Sequence, residues 1–175
     1  MSKQHKLLIY MKNNTKFKTA DLCDQYSDDL VILSQKFKSY GNITSFCGKI
    51  STIRCFNDNS MVREAVNTDG SNKVLVVDGN GSTECALLGD MLAETAFKNN
   101  WSGIIINGCI RDSDIIASID LGVFALSTIP VKSVKKGIGE KNIDISFMNT
   151  AFMPGDYIYV DLDGLIISKK ELTLN

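Results

Sequence analysis

Two short apolar runs dominate the pattern of hydrophobic and polar positions along this chain. Val74-Leu75-Val76-Val77 ends at Asp78 and a Gly-Asn-Gly-Ser segment at 79–82, and Gly103-Ile104-Ile105-Ile106 ends at Asn107-Gly108. Unbroken apolarity bounded by glycine marks strands buried on both faces, each delivering a loop to a surface crevice. Between them, Leu92, Ala93, Ala96 and Phe97 fall at helical spacing after Gly89-Asp90, so a helix is predicted from there to Asn99. A short helix over 115–119 and a strand over 123–126 continue the alternation, giving a β-α-β-α-β series and a parallel sheet. Upstream, Thr19 can cap a helix that presents Leu22, Cys23 and Tyr26 on one face. Residues 45–56 read as a strand, and 57–60 as a turn and cap for a helix over 61–66 that stops near Asp69-Gly70. After Pro130 the character changes to strands over 143–147, 157–160 and 165–168, separated by turns at 154–156 and 161–164. The expected fold class is therefore α/β with a β-rich C-terminal third.

Residues 1–18 carry five lysines and no acid around a short Leu7-Leu8-Ile9-Tyr10 patch. They read as a solvated, partly mobile leader, within which Met11 offers an alternative start, and residues 19–175 read as one domain. Of the 175 residues 44% are hydrophobic, enough for a core, and 19 basic against 20 acidic side chains leave a net charge of −1. That balance argues against direct nucleic-acid binding. No run approaches a membrane span and no signal peptide is evident, so a cytoplasmic protein is expected. The five cysteines form no C-x-x-C pair and the single histidine is His5, which disfavours disulfides, zinc and histidine-based catalysis.

Chemistry is therefore sought among carboxylates, arginine, lysine and backbone groups. Two βα junctions stand out, Gly89-Asp90-Met91-Leu92 at a helix start and Arg111-Asp112 just beyond a buried strand, and both are expected to open onto one crevice. Backbone N–H groups near Met91 and Leu92 suit a carboxylate, Arg111 adds a planar donor fork for it, and Asp112 offers hard oxygen to a divalent cation. The plainer reading stands beside this one: Asp90 and Asp112 as helix caps, Arg111 as a surface cation. Gly79-Asn80-Gly81 is too short for a dinucleotide fingerprint, and Lys136-Gly137-Ile138-Gly139 reads as a flexible loop rather than a phosphate cradle. Asp156, Asp161 and Asp163 read as turn residues rather than calcium ligands.

In order along the chain, Thr19-Ala20-Asp21-Leu22-Cys23-Asp24, Val76-Val77-Asp78-Gly79, Gly89-Asp90, Asn107-Gly108-Cys109-Ile110-Arg111-Asp112 and Pro154-Gly155-Asp156 resemble the RraA-like family over residues 18–168. That family holds both the regulators of ribonuclease E activity and the 4-hydroxy-4-methyl-2-oxoglutarate aldolases. Its aldolase branch is marked by an Asp, 20 intervening residues and Arg-Asp, matched here by Asp90 and Arg111-Asp112. The resemblance implies that Asp112 binds a divalent metal, magnesium or manganese. It also implies that Arg111 and the 89–92 segment (Gly89, Asp90, Met91, Leu92) bind the pyruvyl part of a small 2-oxo acid, and that Asp90 orients water. Implied activities are cleavage of 4-hydroxy-4-methyl-2-oxoglutarate to two pyruvates and, through the same pyruvate enolate, oxaloacetate decarboxylation. A homotrimer with sites near subunit interfaces is implied as well. The alternative is a non-enzymatic inhibitor of ribonuclease E, acting on it or an associated helicase. Longer aldolases supply a further acid to a neighbour's metal from a C-terminal extension, which this chain is expected to lack. No loop suited to S-adenosylmethionine is found, so a methyltransferase is not expected.

Overall fold

The computed structural model describes residues 17–34 and 36–173. His5, the Leu7 to Tyr10 patch and the alternative start at Met11 lie outside the described residues. Phe17 packs edge-on against Tyr159, with ring centroids 5.6 Å apart, and Lys18 is the N-cap of the first helix.

Among the described residues the α-helices are α1 (Thr19–Tyr26), α2 (Ser60–Val66), α3 (Asp90–Lys98) and the single turn α4 (Ser113–Ile116), with a 3-10 turn at Ser27–Asp29. The parallel centre of the main sheet consists of β3 (Phe46–Arg54), β4 (Lys73–Asp78), β6 (Gly103–Ile110) and β7 (Gly122–Thr128). Beyond β3 the sheet continues antiparallel through β11 (Tyr157–Val160), β12 (Gly164–Ser168) and β1 (Val31–Ser34); β2 (Lys38–Ser39) closes the far edge on β7. Three further short strands are β5 (Ala86–Leu88), parallel beside the end of β6, β8 (Glu140–Lys141) on β3, and β9 (Ile145–Phe147), which forms a separate hairpin with β10 (Thr150–Phe152). The α/β class and the β-rich end are as the sequence predicts.

The central strands are buried on both faces because the sheet is covered on both. Leu75, Val77, Ile104 and Ile106 pack with Val62, Val66, Ala93 and Ala96 of α2 and α3. Their alternates Val74, Val76 and Ile105 pack with Phe124 and with Ile145, Phe147 and Phe152 of the β9–β10 hairpin. Phe46 lies across the start of β6 and β7: a Cβ on Gly103 or Gly122 would sit 2.3 Å or 2.2 Å from its ring, so both neighbours must be glycine.

Four local expectations are revised. Thr19 is not the cap but the first helical residue. Its backbone N–H and its hydroxyl donate to the Asp161 carboxylate at 2.7 Å each, so the β11–β12 turn caps α1 from a distant part of the chain. β6 runs on through Cys109 and Ile110, because β5 supplies a partner there. The short helix spans Ser113–Ile116 rather than 115–119. The glycines at 137 and 139, read as a loose loop, sit in a segment whose N–H groups are bound by Asp58 and Ser60. No helix among the described residues is long and apolar enough to cross a membrane.

Candidate functional site

β4 ends at Asp78, and the chain turns away through residues 79–82 before returning as β5, which replaces it beside the last residues of β6. This exchange of neighbours brings the two junctions together. The Arg111 N–H donates to Leu88 O at 3.0 Å, so the residue after β6 is bonded to the residue before Gly89. Gly89 is the N-cap of α3 in an extended conformation. A Cβ there would lie 2.8 Å from Asp112 Oδ2, 3.2 Å from Arg111 Nε and 3.3 Å from Arg111 Cγ. The absence of a side chain at 89 thus admits both functional groups to the start of the helix.

Arg111 and Asp112 are both partly exposed and form an ion pair, Nε to Oδ2, at 3.2 Å. In such surroundings the pair contributes little to stability. Asp112 occupies the N-cap position of α4 with φ 55°, a left-handed conformation that Asp tolerates, yet its side chain makes no cap hydrogen bond. Its backbone carbonyl accepts from Ile115 and Ile116 instead. The carboxylate is therefore turned towards Arg111 rather than used as a helix cap. Asp90 does act locally, since its Oδ1 accepts the Met91 N–H at 2.7 Å. An incoming carboxylate would have to displace Asp90 to use the Met91 amide.

Gly89, Asp90, Met91, Leu92 and Arg111 line one cavity of about 280 Å³. The lining also holds groups that the sequence analysis passed over: Arg63 of α2 together with Lys132, Ser133 and Lys135 from the segment after β7. Four cations against the single lining carboxylate Asp90 make this an anion-attracting pocket. Nothing in the local sequence marks Lys132 or Lys135; the hydrogen bond from Ala86 N–H to Val131 O brings their segment beside β5. Thiol chemistry is absent from this region. Burial pushes Cys55 up to about 12 and Cys47 up to about 11, and all five cysteines are free thiols.

Comparison with known proteins agrees with the geometry. Residues 19–167 match the family model RraA-like: Aldolase/RraA. A protein of Dechloromonas aromatica named "Putative 4-hydroxy-4-methyl-2-oxoglutarate aldolase" is 50% identical over 161 residues, covering 90% of this chain and 99% of its own. A protein of the same name from Azotobacter vinelandii is 51% identical over 156 residues, covering 89% and 96%. Among solved structures, the RNA-processing inhibitor RraA from Thermus thermophilis superposes with a TM-score of 0.88 at 35% identity, covering 90% of this chain and 96% of that one. A Geobacillus kaustophilus protein described as S-adenosylmethionine:2-dimethylmenaquinone methyltransferase gives 0.87 at 47% identity, covering 89% and 97%. Taken with the Arg111 and Asp112 constellation at the start of α3, these matches show that the chain belongs to the RraA-like family.

Proposed function

We propose that this protein cleaves 4-hydroxy-4-methyl-2-oxoglutarate into two pyruvates, with a divalent cation, and decarboxylates oxaloacetate at the same site. The observation that carries the proposal is the convergence of Arg111 and Asp112 on the side-chain-free Gly89, with Gly89 and Arg111 lining a cationic cavity and Asp112 paired to Arg111 beside it. Both substrates are dicarboxylates, which matches a pocket lined by Arg111 together with Arg63, Lys132 and Lys135. The names of the curated relatives support the same activity.

The donor set suits a hard cation that keeps much of its water. No group of three or more His, Cys, Asp or Glu side chains is poised for a metal among the described residues, so a closed protein cage is not on offer. Magnesium is commonly held by one or two carboxylates with water and substrate oxygens, and Asp112 is the carboxylate that would hold it. When bound, the cation supplies Lewis-acid polarisation of the 2-oxo group. Arg111 grips the adjacent carboxylate and stabilises negative charge as the C–C bond breaks. Cleavage needs the substrate hydroxyl to lose its proton and the departing pyruvate enolate to gain one at carbon; Asp90 holds the water that moves these protons.

Exposed Met91 lines the cavity, and Val131 and Val134, exposed too, neighbour its lining residues Lys132, Ser133 and Lys135 in the chain; exposed apolar side chains of this kind favour burial between subunits. We therefore place the site beside an interface of a homotrimer, to be checked by native mass. The likeness to the Thermus inhibitor favours a second reading, a regulator that binds ribonuclease E or an associated helicase. The deciding assay is pyruvate release from the hydroxy acid with magnesium and with chelator. Release that requires the cation supports the enzyme; no release, together with firm partner binding in a pull-down, replaces it with the regulator.

A further inference from the structure

Asp58 is a carboxylate that the proposed chemistry does not use, and it is only 1% exposed. Its Oδ1 accepts the Ser60 N–H at 2.7 Å, at the start of α2. Its Oδ2 accepts two N–H groups from a segment far along the chain, Lys136 at 2.7 Å and Ile138 at 3.2 Å. Around it the same two segments are joined again, by Val134 N–H to Asn57 O at 3.1 Å and by Gly137 N–H to Ser60 Oγ at 3.1 Å. Gly137 has φ +76°, and successive N–H groups in such a turn form a concavity that holds an anion. Here the anion is the protein's own side chain. Burial alone would raise the Asp58 carboxyl, but the bonds from Ser60, Ile138 and Lys136 outweigh it and bring it down to about 2.

The segment so held supplies Lys132, Ser133 and Lys135 to the lining of the cavity. It is tied at one end to β5, through Ala86 N–H to Val131 O at 2.8 Å, and at the other to the 57–60 turn; between the two ties lie Lys132, Ser133 and Lys135. The turn itself opens α2, which brings Arg63 to the same cavity. Without an acceptor at 58, the Lys136 and Ile138 N–H groups lose their partner, and the second tie is left to the backbone bridge of residue 58 with Val134 and to the Gly137 bond to Ser60 Oγ.

We infer that Asp58 is a positioning residue, whose carboxylate fixes the 132–138 segment against the start of α2 and so aims Lys132 and Lys135 at the carboxylate of the substrate distant from Arg111. The inference rests on the 2-oxo dicarboxylate reading of the site. Binding by these lysines is remote from the bond that breaks, so misplacing them raises KM more than it lowers kcat.

The test uses the full chain with magnesium and oxaloacetate, and compares Asp58→Ala, Asp58→Asn and Lys135→Met. Asp58→Ala is expected to raise KM by about tenfold with kcat changed less than about threefold. It should also speed hydrogen exchange at the Lys136 and Ile138 amides by about tenfold or more. Asp58→Asn should restore only part of both, because its amide oxygen can accept from the two loop donors while its NH2 group meets the Ser60 N–H, donor against donor. In the Lys135→Met background Asp58→Ala should add little to KM, the signature of two residues acting through one contact. Unchanged exchange at Lys136 and Ile138 overturns the proposal, and so does an equal KM increase in both backgrounds. Should Asp58→Ala fail to fold, Asp58→Asn and Ser60→Ala, which removes the Gly137 contact, carry the same comparison at smaller amplitude. If the wild type turns over no 2-oxo acid, the functional reading fails first, and exchange alone then decides whether Asp58 holds the segment.

Discussion

Replacing Gly89 by alanine separates the geometry of the site from the stability of the fold. Gly89 has φ −134° and ψ −178°, an extended conformation open to any residue, so alanine meets no backbone strain. The cost is local and steric, because the new methyl group would stand 2.8 Å from Asp112 Oδ2 and 3.2 Å from Arg111 Nε. Ordinary contact requires the carboxylate to retreat by about half an ångström. Both side chains are partly exposed, so they can give way without disturbing the core. Exchanging glycine for alanine at an N-cap costs about 1 kcal/mol at most, which is about 2–4 °C in Tm for a protein of this size. Catalysis is far less forgiving, since a misplacement of about 1 Å can cost about a hundredfold, so a loss of about tenfold or more in kcat/KM is expected. Thermal melts and magnesium-dependent pyruvate release on the same preparation measure the two effects. Activity within about twofold of wild type, or a fall in activity that simply follows a large fall in Tm, would refute the reasoning.

Arg111→Lys keeps the charge but loses the planar two-point grip, and turnover of oxaloacetate should fall by about a hundredfold with an unchanged melt. Asp112→Asn should lose magnesium-dependent turnover while keeping the native mass of wild type, because the Asp112 side chain makes no cap hydrogen bond for the helix it precedes to lose. Asp58 titrates lower in the fold than its ordinary 3.8, so its stabilisation is fully present above that value. The stability gap between wild type and Asp58→Ala should therefore hold at neutral pH and narrow between about 4 and about 2, as acid titrations followed by circular dichroism would show. Asp161→Ala removes the acceptor for Thr19 and should cost about 1–2 kcal/mol in denaturant midpoints, with kcat unaffected.

The strands that the sequence shows plainly are those buried on both faces. Val74-Leu75-Val76-Val77 and Ile104-Ile105-Ile106 have helices on one side and the β9–β10 hairpin on the other, so burial alone writes their pattern. β5 is different, because Ala86-Leu87-Leu88 has helix-forming residues and is extended because β6 pairs with it at Cys109 and Ile110 and the 131–132 segment at Ala86. β1 carried a signal in Val31-Ile32-Leu33, but four residues next to a polar turn give too short a period to read. At the site, the meeting of Gly89 with Arg111-Asp112 was legible from the two βα junctions, but its physical cause, β5 taking the place of β4 beside β6, is a tertiary event. Lys132 and Lys135 were illegible for the same reason: what directs them is a carboxylate on the turn before α2, far away in the chain.

Phe46 has a consequence for how the chain reaches this fold. Its ring rests on Gly103 and Gly122 at the mouths of β6 and β7, so the contact exists only once three strands well separated in sequence are aligned. Closing such long loops is entropically costly and is rewarded late, so this aromatic lock belongs to the final consolidation of the sheet rather than to its nucleus. Trimming the ring should accordingly hasten unfolding while leaving the rate of folding almost untouched, which makes Phe46 a brake on the loss of structure rather than a guide to its formation.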